Sequence, residues 1–316
     1  MDVRKSFVEL SESQEGRDER DAFLEAVLRI KHSGVYDQLV ATHGAIMKIK
    51  RPGSSEFQDM GHSGPVFLPW HRAFLKVIEE ELQKEVAGVT LPYWDWTEHE
   101  LTVDFLWQDD FLGPHPNQTA SVFEVASGYF AGEVPPADRP AFWPDGLSGW
   151  KVVDILGGGF GTTLRRRGAS VRGRRGLAEK SDIDELMRAG DYFEFRSGIE
   201  TGFKLHNQTH GWVGGHMGTR YSPNDPIFLL NHCYIDRLWD QWQRDGHMGP
   251  DFYPAATPNN PGQALDDEMF PWVQNPEEFG LDSQALEPLV EPFFHDRVYR
   301  ARDVLDTELQ LEVSYQ

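Results

Sequence analysis

Residues 222–245 read SPNDPIFLLNHCYIDRLWDQWQRD, and they predict a long helix with one histidine near its centre. A side-chain oxygen of Asn224 or Asp225 can cap the first turn. Pro226 fits that turn because its missing N–H would have no helical partner in any case. His232 is therefore expected on a rigid element, among large apolar side chains.

A second histidine motif lies just upstream, in LHNQTHGWVGGHM at residues 205–217. His206 and His210 are four residues apart, so on a helix both imidazoles project from one face. Such a pair alone is weak evidence for a metal, because the spacing also arises by chance. Together with His232, the pair offers three imidazoles from two helices.

A third stretch, GHSGPVFLPWHRAFL at residues 61–75, supplies a comparable group. His43 closes the preceding helix, His62 lies in a Gly/Ser-rich loop, and His71 lies on the next helix. Three neutral imidazoles can hold copper or zinc and leave a coordination position open for a reactant. Two groups of three histidines in one chain are much stronger evidence for metal binding than one pair.

The remaining pattern favours one mainly α domain over residues 1–316 with long irregular loops and little β structure. Ser33-Gly34 interrupts the first helical pattern, and residues 108–180 are the least regular part of the chain. The predicted helices are 18–43, 66–86, 182–188, 200–213, 222–246 and 295–306, and one short strand is predicted within 309–315.

Composition restricts the function further. The chain has 316 residues, with Lys+Arg 30 against Asp+Glu 51 and a net charge of −21, which disfavours binding to phosphate backbones. No apolar run approaches the roughly 20 residues that span a bilayer, and the N-terminus lacks the apolar region of a signal peptide. Twelve histidines stand beside the single Cys233, so a bound metal would have nitrogen ligands rather than a thiolate cluster.

The quoted motifs, with FLEAVLRIKHSGVYDQLVATH (23–43) and LPYWDW (91–96), resemble the two copper-binding regions of type 3 copper proteins. The similarity is greatest to bacterial tyrosinases of the Streptomyces type. The resemblance implies a four-helix-bundle core that holds two copper ions, with dioxygen as co-substrate. It also implies a single domain with a divergent insertion at 108–180, an irregular C-terminal wrap at 249–316 and no lid domain. It implies that one copper is bound by His43, His62 and His71, and that the other is bound by His206, His210 and His232.

The same resemblance assigns catalytic roles to Glu200 and Asn207, at positions where relatives hold a water that deprotonates a monophenol. A carboxylate and an amide can polarise a water into a base. The alternative interpretation makes Glu200 an exposed carboxylate at a helix start, near the positive end of the helix dipole.

Further residues around the copper ligands follow from the resemblance. Arg72 and Asp236 are expected to form an ion pair between two copper helices. Phe228 is expected to pack against a ligand imidazole. Gly211 and Arg220 correspond to the mouth of the substrate pocket, where glycine opens room and Arg220 could attract an aromatic substrate bearing a carboxylate.

The chain also departs from the family pattern. Gly44 and Asn231 replace an asparagine and a second histidine that many relatives carry beside ligand positions. Cys233 follows a ligand position, so the Cys–His thioether of fungal and plant relatives is not expected. Cys233 is expected instead to be a small, buried apolar residue. The arginine-rich run RRRGASVRGRR at 165–175 is interpreted as a mobile solvated loop, with binding of an acidic partner or pairing with the protein's own carboxylates as the alternatives.

The leading hypothesis is a tyrosinase-like oxidase that converts phenols and ortho-diphenols to ortho-quinones. A catechol oxidase or an ortho-aminophenol oxidase is the first alternative, and an oxygen- or copper-binding protein without turnover is the second. A dizinc hydrolase would normally need bridging carboxylates, which neither histidine group supplies. The expected partners are a small phenolic or aminophenolic substrate and a copper-loading helper protein, with no nucleic acid and no membrane. The expected location is the cytoplasm, or outside the cell after export with the helper.

Overall fold

The computed structural model describes residues 1–114, 122–153, 161–167, 176–201, 205–254, 261–294 and 297–316. Helices predominate in it, which confirms the predicted mainly α class. The helices are α1 (Glu9–Glu12), α2 (Gln14–Ser33), α3 (Val35–Ile46), α4 (Phe67–Glu85), α5 (His99–Leu101), α6 (Lys180–Leu186), α7 (Tyr192–Glu200), α8 (Leu205–Val213), α9 (Ile227–Trp242), α10 (Glu287–Val290) and α11 (Thr307–Leu311). The strands are β1 (Asp2–Arg4), β2 (Ile49–Lys50), β3 (Val122–Glu124), β4 (Arg165–Arg167), β5 (Gly280–Leu281) and β6 (Val313–Tyr315).

The predicted break in the first helical segment is confirmed. Gly34 separates α2 from α3 and has a φ of 88°, in the left-handed region that glycine adopts without steric cost. Its N–H bonds the carbonyl of Lys31, so it closes α2 while α3 begins at the next residue. The turn redirects the chain, so that α3 delivers His43 to the interior near its C-terminal end.

Helices α3, α4, α8 and α9 carry five of the six predicted metal ligands and surround a common interior. Helix α4 packs against α2 and α9, and α8 packs against α7 and α9. Most of the buried side chains of α4 and α9 are apolar, and their removal from water stabilises the packing of the two helices. The packing places histidines from separate parts of the chain at one level of the helix bundle.

The start of α9 differs in detail from the prediction. Asp225 Oδ1 accepts from the N–H of Ile227 at 3.3 Å, whereas Asn224 Oδ1 accepts from the N–H of Val153 at 3.1 Å. Asp225 is thus the residue whose side chain reaches the first turn, and Pro226 immediately precedes the helix. Asn224 instead ties this turn to the divergent segment.

Three short ladders supplement the helices in the described residues. Strands β1 and β6 pair in parallel, with Val3 opposite Ser314, and join the two ends of the chain. Strand β2 pairs antiparallel with β5, and β3 pairs antiparallel with β4. The predicted strand within 309–315 is therefore confirmed only for its last residues, because α11 extends to Leu311.

Two of the predicted helices are wrong. Residues 200–213 are not one helix: Glu200 ends α7, and α8 begins at Leu205. Of the predicted helix at 295–306, the described residues 297–306 contain instead a 3₁₀ turn at Ala301–Val304, before α11. Asp306 caps α11 through its side chain, so the chain changes direction between the two elements.

A buried charge network connects the strand ladder of the chain ends to the two central helices. Arg4 on β1 donates to both oxygens of Glu79 on α4, each at 3.0 Å, and to Asp236 on α9 at 3.3 Å. Arg72 on α4 donates to Asp236 at 2.5 Å, and the hydroxyl of Tyr315 on β6 donates to Asp236 at the same distance. Asp236 therefore connects α4, α9, β1 and β6.

No helix among the described residues combines the length and the apolar character needed to cross a membrane.

Replacing Asp236 with alanine is expected to destabilise the fold by about 3–5 kcal/mol, because the buried Arg4 and Arg72 would lose a compensating charge. The surface pair of the exposed Lys84 and the partly buried Glu81 provides the control, and Lys84→Ala is expected to cost under about 1 kcal/mol. Urea unfolding followed by circular dichroism measures both. Equal, small losses would show that the network does not stabilise the fold.

Candidate metal centre

The first triad comprises three imidazoles whose ligand nitrogens lie within 4.8 Å of one another, those of His43, His62 and His71. His43 and His71 bond backbone carbonyls through Nδ1, at 2.8 Å to Arg220 and 2.8 Å to Phe67, respectively. These bonds place the proton on Nδ1, because a carbonyl only accepts, and leave the Nε2 lone pair for a ligand.

His62 is the member of the first triad that lies in a loop, and Asp59 fixes that loop. Asp59 Oδ1 accepts from the backbone N–H of His62 at 2.8 Å and of Gly61 at 2.9 Å. The same oxygen lies 3.3 Å from His62 Nδ1. A carboxylate on Nδ1 orients a ligand imidazole and raises its basicity, as in many metal sites.

The second triad comprises His206, His210 and His232, whose ligand nitrogens also lie within 4.8 Å of one another. His210 Nδ1 lies 2.7 Å from the carbonyl of Met217, and its Nε2 lies 3.1 Å from Nε2 of His232. Two nitrogens bound to one metal ion at about 2.0 Å each are separated by about 3 Å, so this spacing is that of two ligands.

The two triads are adjacent across α4 and α9. The rings of His71 and His232 stack with centroids 4.4 Å apart and an interplanar angle of 12°. Phe228 lies one turn before His232. The centroid of its ring is 4.1 Å from that of the His232 ring and 5.0 Å from that of the His43 ring. The phenylalanine therefore packs against ligands of both triads and fills the apolar side of the site.

The imidazoles are held in the neutral form. Burial, together with neighbouring imidazoles, lowers the pKa of His210 to about 4. Burial likewise lowers the pKa values well below the usual range for the four most buried members, His43, His71, His206 and His232. A neutral imidazole keeps the lone pair that a metal ion requires.

The donor set fits two copper ions. Within the described residues, Nε2 of His43, His71 and His206 is buried and has no hydrogen-bond partner in the protein. Buried nitrogens without partners are costly, and here they converge, which is the arrangement that a cation would stabilise. All-imidazole sets suit copper in both common oxidation states, and Cys233, with its thiol, lies outside both triads.

Glu200 is buried at the end of α7, which contradicts the interpretation as an exposed carboxylate at a helix start. One oxygen accepts from the N–H of Ser63 at 2.5 Å, next to His62, and the other from Arg196 at 2.9 Å. Burial raises the pKa of Glu200, and the bonds from Ser63 and Arg196 partly offset this increase. Glu200 thus lies directly behind the loop that carries a predicted copper ligand.

Asn207 is exposed on α8 and lines the cavity above the histidines. Its Oδ1 lies 2.9 Å from Nδ1 of His206, an arrangement in which the imidazole N–H donates to the amide oxygen. The amide oxygen therefore fixes the orientation of His206. The amide nitrogen keeps its two donors for other contacts.

The cavity has a volume of about 660 Å³ and opens above both triads, with His43, His62, His206 and His210 in its wall. Gly211 also lines it, and a Cβ at this glycine would meet nothing within 4 Å. The structure therefore places open space at Gly211.

Arg220 also lines the cavity, at the position where the sequence predicts that it attracts a substrate carboxylate. Its guanidinium donates to both oxygens of Asp282, at 2.8 and 2.9 Å, so its charge is already compensated. Its carbonyl accepts from His43, and the next residue, Tyr221, packs against Gly44, where a Cβ would lie 2.1 Å from the ring. Arg220 is therefore placed to position His43, and glycine at 44 admits the tyrosine.

The described part of the arginine-rich run is not a solvated loop, and the alternative that it pairs with the protein's own carboxylates is confirmed there. Arg165–Arg167 form β4, and Arg166 is fully buried, with its guanidinium on both oxygens of Asp225 at 2.7 and 2.9 Å. The N–H of Arg165 donates to Nδ1 of His216 at 3.0 Å, so His216 holds this strand instead of a metal. Residues 168–175 lie outside the described part.

The other histidines predicted as bystanders lie apart from the triads where the structure describes them. His99 bonds the carbonyl of Ala178 at 2.9 Å, and His247 stacks on Trp242 at 4.2 Å. His32 is exposed, whereas His115 and His295 lie outside the described residues. The sequence reasoning missed Asp59, Arg196 and Asp282, because each acts through a contact that no local motif announces.

Comparison with known proteins agrees with the site. The family model "Common central domain of tyrosinase" matches residues 33–245. Tyrosinase of Streptomyces glaucescens is 36% identical over 285 residues, covering 86% of this chain and 93% of that protein. Among solved structures, a single-substitution mutant of a polyphenol oxidase from Thermothelomyces thermophila shares the fold, with a TM-score of 0.62, 20% identity and coverage of 100% of this chain and 88% of that one. A functional unit of octopus hemocyanin aligns with a TM-score of 0.58, 21% identity and coverage of 100% and 68%, respectively.

The two triads predict a copper stoichiometry that can be counted. The wild-type chain is expected to retain two copper ions after dialysis, and His71→Ala or His210→Ala is expected to retain about one, because each triad loses a ligand. Elemental analysis measures the metal, and circular dichroism monitors the fold. His32→Ala is the control and should retain both ions. Full copper retention in both triad variants would contradict the ligand assignment.

Proposed function

This chain belongs to the tyrosinase family of type 3 copper proteins, and on that premise we propose that it oxidises phenols and ortho-diphenols to ortho-quinones with dioxygen. The observation that carries the proposal is the pair of adjacent imidazole triads beneath a cavity of aromatic-substrate size. The two copper ions, when bound, supply dioxygen binding and electron transfer. All other steps depend on how the protein holds the substrate and moves its protons.

The overall chemistry balances without an added reductant. Two diphenols lose two electrons and two protons each, and one dioxygen takes them up to give two waters. A monophenol and one dioxygen give one quinone and one water. The second reaction requires that the phenolic proton be removed while the ring is held beside the metal centre.

For that proton we propose a water held between Glu200 and Asn207 as the acceptor. Both residues lie next to ligand histidines, Glu200 behind the His62 loop and Asn207 on the His206 imidazole. Within the described residues each oxygen of Glu200 accepts one hydrogen bond, and a carboxylate oxygen can accept a second, so a water can still bind. Burial raises the pKa of Glu200, which makes the carboxylate a stronger base than an exposed one.

Phe228 and Gly211 are proposed to shape the cavity for an aromatic ring. Phe228 supplies an apolar surface against His232 and His43, which keeps water from that side of the centre. Gly211 leaves open space in the cavity wall. Phenols with para substituents therefore have space to enter with the hydroxyl directed at the histidines.

We also propose a copper-loading helper protein as a partner. The proposed location is the cytoplasm, or outside the cell after export together with that helper. Both proposals rest on the family resemblance alone. Nothing in the metal centre requires that the helper supply a ligand, because each triad is complete within the chain.

The decisive experiment compares kcat/KM for tyrosine, a catechol and an ortho-aminophenol with copper-loaded protein. Turnover of both tyrosine and the catechol is the expected result. Turnover of the catechol or the aminophenol without tyrosine would replace tyrosinase activity by one of the narrower oxidase activities. Bound copper without turnover of any of the three would favour an oxygen- or copper-binding protein.

Glu200→Gln separates hydroxylation from oxidation. It is expected to lower kcat/KM for tyrosine by about 10²- to 10⁴-fold, because the base is lost, while catechol turnover changes little. Glu194→Gln is the control, because it makes the same substitution at an exposed glutamate on the same helix. A proportional loss on both substrates would assign Glu200 a purely structural role through Ser63.

A further inference from the structure

A second arginine reaches the cavity from the divergent middle of the chain. Arg167, the last residue of β4, is exposed and lines the same cavity as His62, His206 and Asn207. Alternate residues of a strand face opposite sides, so Arg167 points away from the side on which Arg166 is buried. The strand thus separates a structural arginine from one at the cavity wall.

The position of Arg167 is fixed from the side of the second triad. The chain after α8 passes directly under β4, and a Cβ at Gly214 would lie 2.3 Å from Cβ of Arg167. At Gly215 a Cβ would lie 2.0 Å from the carbonyl oxygen of Arg165. Both glycines have positive φ, 63° and 56°, so this close approach depends on glycine.

Arg166 fixes the strand from the other side. Its buried pair with Asp225 connects β4 to the turn that begins α9, the helix of His232. The guanidinium of Arg166 also lies over the Trp107 ring at 4.7 Å. Strand β4 is therefore held between the elements that carry the second triad, and the backbone of Arg167 cannot move independently of that site.

The charges of the chain and of the cavity wall bear on which substrates Arg167 would attract. The chain has a net charge of −21, which repels anionic molecules, and the guanidinium of Arg220 is compensated by Asp282. We propose that Arg167 binds the carboxylate of phenolic or catecholic acids and selects them over neutral phenols. Arg167 has contacts within the protein as well, but a guanidinium has five donors and can bind a carboxylate in addition. The inference rests on the proposed oxidase function and specifies its substrate class.

The test compares two matched catechols, dihydrocaffeate and its methyl ester, which share the ring and side chain and differ in the terminal group, a carboxylate in one and an uncharged methyl ester in the other. The wild-type protein is expected to favour the acid in kcat/KM, mainly through a lower KM. Arg167→Gln is expected to reduce the acid-to-ester ratio of kcat/KM by about tenfold, the size of one charge-assisted hydrogen bond. Arg167→Lys keeps the charge and should restore most of the preference.

Arg165→Gln is the matched control on the same strand. Its guanidinium lies near Glu124 at 3.7 Å and is not part of the cavity wall, so the acid-to-ester ratio should remain at the wild-type value. Added salt should raise KM for the acid in the wild type and have less effect in Arg167→Gln, because salt screens an exposed charge pair.

An unchanged acid-to-ester ratio in Arg167→Gln would overturn the proposal, and so would equal losses in Arg165→Gln. If the wild-type protein oxidises neither catechol, the oxidase function fails, and binding still tests Arg167. Calorimetry with phenylpropionate, which has no phenolic hydroxyl, should then show affinity about tenfold lower in Arg167→Gln than in wild type. Equal affinity would exclude Arg167 as the carboxylate site.

Discussion

The buried pair of Arg72 and Asp236 is the contact on which the geometry of the metal centre depends. Arg72 follows His71 in the sequence, and Asp236 lies one turn beyond His232, so the pair joins the two helices next to one ligand from each triad. A buried ion pair is sensitive to distance, because the attraction must offset the loss of hydration of both charges. The separation of α4 and α9 is therefore restricted where the His71 and His232 rings stack.

Asp236 is shared between Arg72 and Arg4, and the ends of the chain complete the arrangement. Arg4 contributes a second positive charge and Glu79 a second negative one, while Tyr315 donates to Asp236. The parallel ladder of β1 and β6 carries Arg4 and Tyr315 into the interior together. The strands at the chain ends are thus part of the support of the metal centre.

The parts of this architecture that depend on local pattern could be predicted from the sequence. The apolar period and the turn chemistry indicate α4 and α9, and the histidine spacing indicates both triads. Asp282 and Arg4 could not be identified from the sequence. Asp282 lies 62 residues from its partner Arg220, and Arg4 lies 232 residues from its partner Asp236, and such charge pairs have no periodic sequence pattern. Glu200 was placed at the wrong end of a helix because the break before Leu205 has no proline to mark it.

The least regular segment of the sequence contributes Arg167 to the wall of the cavity. A run of arginines in a −21 chain is typical of a solvated loop, yet its first three residues pair with Val122–Glu124 and pack beneath α8. The burial of Arg166 is favourable only because Asp225 lies opposite, at the start of the helix that carries His232. Through the buried Arg166 this segment is coupled to the helix of His232, whereas the exposed side chain of Arg167 can change the cavity wall without breaking the pair with Asp225.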